Sequence, residues 1–217
     1  MSNKDNAIKC KVVLVGETGV GKTAIISRFI RDTFNKGQEP STMASYTSKE
    51  IIIKEFNRKL KLDIWDTAGQ EKYRALTKFF YKDAAIAILV YDITRKVSFD
   101  EILTYWSEQL IECGASNLII GIAGNKSDLF NEEEVKEIDG KVLANRLGAV
   151  FQLTSALTNS GIDTLFQKLG AQYLTNYLQS DEAARTASTA SSTDKDERKQ
   201  LTSDNNDKDG KKKKKCC

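Results

Sequence analysis

Apolar runs of strand length punctuate the chain at Lys9–Val15, Thr47–Glu55, Lys59–Trp65, Ala85–Tyr91, Leu118–Ala123 and Val150–Leu153. Between them, apolar residues recur at helical spacing over Lys22–Arg31, Glu71–Lys82, Phe99–Cys113, Ile138–Leu147 and Ile162–Leu178. Strands alternating with helices predict an α/β fold, a six-stranded and mostly parallel sheet with helices packed on both faces. The second and third runs break the parallel rule. Only Phe56–Arg58 separates them, too little for a crossover, so they are expected to form an antiparallel hairpin. On the helix near Phe99, Ser98 is the expected N-cap, and Phe99, Ile102, Leu103, Trp106 and Leu110 fall on one stripe that reads as core. The acidic cluster Glu132–Glu134 reads as a solvated loop.

The patterning stops near Gln179. Ser180–Cys217 contains no aromatic residue and only Leu201 among the large aliphatics. Such a segment cannot bury enough apolar surface to offset the entropy of ordering, and it is expected to be a disordered tail. Of 217 residues, 1–179 are therefore assigned to one domain and 180–217 to the tail. The net charge of +3 divides into +1 for the domain and +2 for the tail. A nearly neutral domain is a poor nucleic-acid binder, so no nucleic acid is expected among its partners. A monomer is expected.

Histidine is absent, which removes His general bases, the Ser-His-Asp triad and His-ligated zinc. Catalysis has to rest on carboxylates, amides, lysine or a bound metal ion. Cys10, Cys113, Cys216 and Cys217 show neither CxxC spacing nor a disulfide framework, which fits a reducing compartment. The opening MSNKDNAIK lacks the apolar stretch of a secretory signal, and the longest apolar runs, Ala84–Tyr91 and Leu118–Ala123, fall short of the roughly 18 residues that span a bilayer. A soluble or peripherally attached protein is expected.

Candidate chemistry enters where the first strand runs into Gly16-Glu17-Thr18-Gly19-Val20-Gly21-Lys22-Thr23, which matches GxxxxGK[ST] and is followed at once by a helical pattern. Glycines in such a loop let successive backbone N–H groups, here from Thr18 to Thr23, converge on phosphate oxygens, and the helix N-terminus adds positive potential. Lys22 is placed to reach the β- and γ-phosphates and the Thr23 hydroxyl to ligate Mg²⁺. The third strand ends in Trp65-Asp66-Thr67-Ala68-Gly69-Gln70. Asp66 is the candidate for the second Mg²⁺-directed group, and Gly69 allows its backbone N–H to approach the γ-phosphate. The fifth strand leads into Asn125-Lys126-Ser127-Asp128, an NKxD pattern. An amide acceptor and a carboxylate suit an edge bearing an N–H and an NH₂, which guanine presents and adenine does not.

Together these motifs resemble the small GTPases of the Ras superfamily, and Lys61–Trp65, Glu71–Leu76, Leu89–Thr94 and the terminal Cys216-Cys217 resemble the Rab family within it. The resemblance implies a P-loop NTPase fold with nucleotide at the carboxyl edge of the strands, GTP and GDP as substrate and product, and Mg²⁺. It also implies a slow GTPase switch in vesicle traffic, regulated by an exchange factor, a GTPase-activating protein and a GDP-dissociation inhibitor, and read by effectors. Gln70 would orient the attacking water, with Lys22 and Thr42 completing the catalytic set. Phe34, twelve residues after Lys22, would pack on the guanine plane. Ser155 and Ala156 would complete the base site, with the Ala156 N–H on the purine oxygen. Tyr46, Trp65 and Tyr81 resemble an aromatic trio shown to effectors; ordinary half-buried aromatics are the competing reading.

The sequence departs from the family pattern at three places. The first switch usually reads Thr-Ile-Gly, whereas Pro40-Ser41-Thr42-Met43-Ala44 stands here, with Thr42 chosen as the Mg²⁺ ligand and Ser41 as the alternate. The third guanine motif, normally Ser-Ala-Lys, reads Ser155-Ala156-Leu157. Thr18 stands where many relatives carry a smaller residue, which is expected to slow hydrolysis and keeps a GTP-locked adaptor as one alternative; a P-loop ATPase or nucleotide kinase is the other. Lys211–Lys215 with Cys216 and Cys217 resembles a doubly geranylgeranylated anchor. It implies the cytoplasmic face of an intracellular membrane, endosomal by resemblance of Gln70–Arg74 and Ala44–Tyr46, with a soluble pool. A nucleic-acid patch or a solubilising end are the competing readings of the lysines.

Overall fold

The computed structural model describes residues 7–39, 41, 44–67, 81–113 and 117–200. Its strands are β1 (Ile8–Val15), β2 (Ser45–Ile53), β3 (Arg58–Asp66), β4 (Ile86–Asp92), β5 (Ile119–Asn125) and β6 (Val150–Leu153). They form one six-stranded sheet in the order β2-β3-β1-β4-β5-β6. β2 pairs antiparallel with β3, and the remaining neighbours pair in parallel. The helices are α1 (Lys22–Arg31), α2 (Lys96–Glu101), α3 (Ser107–Cys113), α4 (Glu137–Leu147) and α5 (Ile162–Gln200).

Strand alternation sorts the side chains of the central strands onto two faces. Val12 and Leu14 of β1 and Ile86, Ile88 and Val90 of β4 pack with Ile25 and Phe29 of α1 and Leu165, Phe166 and Leu169 of α5. Their neighbours Val13, Val15, Ala87, Leu89 and Tyr91 face Phe99, Ile102, Trp106, Leu143 and Ala144 on the other side. Across the first core, Phe29 stacks on Phe166 with ring centroids 3.7 Å apart. Both faces of β4 and of the second half of β1, Val12–Val15, are therefore dry, which explains their unbroken apolar runs.

The hairpin forms, two residues earlier than its pattern suggested. β2 ends at Ile53 and the turn occupies 54–57, with Asn57 at φ 48°. Asn tolerates the left-handed conformation that this turn requires, so the reversal falls there.

The stripe from Phe99 to Leu110 is core, but its helix is built differently. α2 begins at Lys96, and a π-helical segment (Ile102–Trp106) joins it to α3. Ser98 is no N-cap. It is buried inside the first turn, where its hydroxyl donates to Arg95 O at 2.7 Å and accepts the Asp92 N–H at 3.0 Å. The cap comes from a distant loop: the Lys96 N–H donates to Glu134 Oε2 at 2.7 Å. Glu132–Glu134 is exposed as expected, yet Glu134 satisfies a helix end that no local residue serves.

The chain divides into two compact units, Met1–Leu174 and Thr175–Cys217. The first carries the sheet. In the second, α5 continues to Gln200, so 180–200 is helical where low apolar content suggested disorder. The physical reason lies in propensity. The segment carries Ala183, Ala184, Ala187 and Ala190 and holds neither glycine nor proline, so nothing in it breaks a helix that runs on from Ile162. Among the described residues, no helix is long and apolar enough to cross a membrane.

Candidate functional site

The carboxyl ends of β1, β3 and β5 and the start of α1 converge on one cavity of about 210 Å³, lined among others by Thr18, Gly19, Gly21, Lys22, Thr23, Phe34, Ser41, Thr67 and Lys126. Its floor is the Gly16–Thr23 loop. Gly16 has φ 143°, and a Cβ there would lie 2.2 Å from Val90 O; Gly21 has φ 98°, and a Cβ there would lie 2.3 Å from Asn125 Nδ2. Any side chain at either position would displace the loop. α1 starts without a side-chain cap, leaving its first N–H groups available to an anion in the cavity.

Lys22 is 5% exposed, and its Nζ donates to Gly16 O at 2.8 Å and Glu17 O at 2.9 Å. Burial pulls its pKa down to about 8, against the charges of Asp66 and Glu17, which hold it up. The hydrogen-bond partners of this buried ammonium among the described residues are two backbone carbonyls, and a phosphate would add a full counter-charge in contact. From outside the loop, Arg95 Nη2 braces Glu17 Oε2 at 2.6 Å and Thr18 O at 3.2 Å.

At the next corner, Thr23 Oγ1 donates to Asp66 Oδ2 at 2.6 Å and lies 2.6 Å from Ser41 Oγ. Asp66 is buried, and its Oδ1 has no hydrogen-bond partner among the described residues. Burial raises its pKa, opposed by the Thr23 hydrogen bond and the charge of Lys22. Two hydroxyls and one carboxylate with an unsatisfied oxygen fit Mg²⁺, which takes few protein oxygens and completes its shell with water and phosphate.

The base end is built from β5 and the turn after β6. Ser155 Oγ donates to Asp128 Oδ1 at 2.5 Å, and Ser155 and Ser160 exchange backbone hydrogen bonds of 3.0 and 3.1 Å that close the turn carrying Ala156. Lys126, at φ 65°, pairs through Nζ with Asp92 Oδ2 at 2.5 Å. Phe34 is half-buried and lines the cavity with Lys126.

The Ras family matches residues 11–175. The chain belongs to the Ras family. It is 39% identical over 182 residues to Ras-related protein RABA2d of Arabidopsis thaliana, covering 84% of this chain and 82% of the relative. It is 43% identical over 156 residues to Ras-related protein Rab-22A of Homo sapiens, covering 72% and 79%. Ras-related protein Rab2BV of Beta vulgaris is 41% identical over 159 residues, covering 73% of each. This Ras-family protein is a Rab-like small GTPase that binds guanine nucleotide and hydrolyses GTP.

Several residues of this Rab-like GTPase sit differently from the sequence expectation. Ser41, the alternate, supplies the hydroxyl beside Thr23; Thr42, the first choice, lies outside the described residues, as do Gly69, Gln70, Cys216, Cys217 and most of the helix expected over 71–82. Asn125, expected on the base, spends its amide on the protein: Nδ2 donates to Val20 O at 2.8 Å and Oδ1 accepts from Thr154 Oγ1 at 3.1 Å. It ties the phosphate loop to the base loop.

The aromatic trio also separates. Tyr46 is 55% exposed and lies against Trp65 with ring centroids 5.2 Å apart, while Tyr81 is 1% exposed and belongs to the core around Trp106. Tyr81 is therefore not on that face. Sequence reasoning missed Arg95, which reaches Glu17 and Thr18 at separations of 78 and 77 positions, and Arg28, which reaches Ala156 at a separation of 128. No local spacing signals contacts of that span.

Proposed function

We propose that the cavity binds GTP and GDP with Mg²⁺, and that the γ-phosphate orders two switch segments that effectors read in membrane traffic. The observation that carries this reading is the unsatisfied, buried Asp66 Oδ1 beside the hydroxyls of Thr23 and Ser41, next to a lysine that burial drives down to about 8. Thr23, Ser41 and Asp66 would hold the metal, which when bound neutralises charge on the β- and γ-phosphates.

The chain's own groups do the rest. Backbone N–H groups of the phosphate loop and of Gly69 bind phosphate oxygens, and Lys22 spans the β- and γ-positions. Gln70 orients the attacking water, with an arginine supplied in trans by a GTPase-activating protein. Asp128 accepts from the guanine N1–H and 2-amino groups, the Ala156 N–H donates to the 6-oxo group, Phe34 packs on the ring, and Ser155 holds Asp128 in place. Thr18, whose hydroxyl is buried without a partner among the described residues, crowds the γ-phosphate side and slows hydrolysis.

Residues 180–217 form a tether to the cytoplasmic face of an intracellular membrane, endosomal by the resemblance of Gln70–Arg74 and Ala44–Tyr46, with geranylgeranyl groups on Cys216 and Cys217 and Lys211–Lys215 on anionic lipid. An exchange factor and a GDP-dissociation inhibitor complete the cycle. The test is nucleotide release: chelating Mg²⁺ is expected to speed dissociation of GDP by at least about tenfold. Release indifferent to chelator would overturn the reading.

A further inference from the structure

α1 begins at the phosphate end of the cavity with Lys22, and its last turn carries Arg28 to the base end. The Arg28 side chain is 15% exposed. Its Nε donates to Ala156 O at 2.8 Å and its Nη2 to Leu157 O at 3.2 Å. Nη1 donates to the backbone oxygen of Asp32 at 2.9 Å and to Asp32 Oδ1 at 3.0 Å. The same Asp32 oxygen accepts from Asn159 Nδ2 at 3.2 Å. One guanidinium thus grips two consecutive carbonyls of the turn, and the carboxylate that orients it grips the far end.

That turn presents the Ala156 N–H. Ser155 is fixed by Asp128 and Ser160 on the inner side. Leu157, where the family pattern has lysine, is 50% exposed and offers the loop no polar anchor. The outer side is held by Arg28. A planar guanidinium sets the positions of two acceptors at once, which an ammonium on a flexible stem does not. Displacement of the donor by a few tenths of an ångström weakens a hydrogen bond, and a backbone N–H has no side-chain freedom with which to compensate.

We propose that Arg28 is a positioning residue for base recognition: oriented by Asp32, it fixes the Ala156–Leu157 backbone so that the Ala156 N–H meets the 6-oxo group of the purine. This rests on the guanine-site reading above. It also makes α1 a rigid link from the phosphates to the base, through side chains on a single helix.

The test compares GDP with 6-thio-GDP, which keeps the N1–H and 2-amino groups read by Asp128 and replaces the 6-oxygen by a poorer acceptor. Arg28→Ala is expected to raise the dissociation constant for GDP about tenfold and that for 6-thio-GDP no more than about twofold. Arg28→Lys keeps charge and stem, and its loss on GDP is expected to exceed about threefold. Equal losses on both nucleotides would mean general destabilisation and overturn the proposal, as would Arg28→Lys binding GDP like the unaltered protein. Where Arg28→Ala does not fold, the ratio measured with Arg28→Lys decides. An unaltered protein that binds ADP as tightly as GDP would instead overturn the guanine-site reading itself.

Discussion

Thr23 Oγ1 donates to Asp66 Oδ2 at 2.6 Å across 43 positions of sequence, joining the first turn of α1 to the end of β3 at the point where a metal ion fits. The hydroxyl stands in for one ligand and the carboxylate for a second, and Asp66 keeps an oxygen unsatisfied. Asp66→Ala is therefore expected to raise GDP dissociation in excess Mg²⁺ by at least about tenfold and to abolish the response to chelator. Retained chelator sensitivity in that variant would place the metal elsewhere.

Ser41 and Thr42 are the two candidates for one proposed Mg²⁺ ligand. Since Ser41 Oγ lies 2.6 Å from Thr23 Oγ1, Ser41→Ala is expected to weaken Mg²⁺ binding by the GTP-loaded protein about tenfold, and Thr42→Ala by less than about twofold. Titrating Mg²⁺ against the rate of GTP release separates them; the opposite order would assign the ligand to Thr42.

Much of this site was legible because short motifs specify backbone geometry. Gly16 and Gly21 adopt positive φ where a Cβ would strike Val90 O or Asn125, so the sequence Gly16–Thr23 dictates the loop it forms. The sheet was legible through the apolar runs, whose alternate residues divide between two cores. What escaped depends on distance along the chain. Glu134 caps α2, Asn125 braces Val20, and Arg28 reaches Ala156; each partner is chosen by the fold. Tyr81 escaped for a different reason. An aromatic residue near a switch reads alike whether it faces solvent or core, and only packing decides.

Burial separates Tyr81 from Tyr46 energetically. Tyr81→Ala, in the core, is expected to cost about 3–5 kcal/mol of stability, and Tyr46→Ala, mostly exposed, less than about 1 kcal/mol. Urea unfolding of the two variants measures both. A comparable cost at Tyr46, or none at Tyr81, would contradict the assigned faces. Tyr46, with its hydroxyl on Asp63 at 2.8 Å, is the residue whose loss is expected to weaken a GTP-dependent partner.

Cys10 lies buried in β1, where burial first and the charge of Asp63 second push its pKa up from 9.0 to about 12. Below pH about 9 the thiol is protonated in both folded and unfolded chains, and its contribution is constant. Above that, the unfolded chain loses the proton and the folded one does not, so this group withdraws stability by about 1.4 kcal/mol per pH unit until about 12. Cys10→Ala is expected to lose less stability than the unaltered protein between pH about 9 and 10.5. Parallel pH profiles from urea unfolding would contradict the assignment.

At the far end of the chain, Cys216→Ser with Cys217→Ser is expected to move protein expressed in eukaryotic cells from the detergent-rich to the aqueous phase on partitioning, because one lipid holds weakly and none does not hold. Unchanged partitioning would remove the anchor.

The central claim is a guanine nucleotide switch that turns over at the Lys22, Thr23 and Asp66 corner. It is tested most directly by loading the protein with labelled GTP and following phosphate release in a single turnover. Slow, complete conversion to bound GDP is expected, faster in Thr18→Gly and at least about tenfold slower in Gln70→Leu, with ATP neither retained nor hydrolysed. Retained GTP that yields no phosphate even with an activating protein present, or ATP handled as readily as GTP, would contradict it.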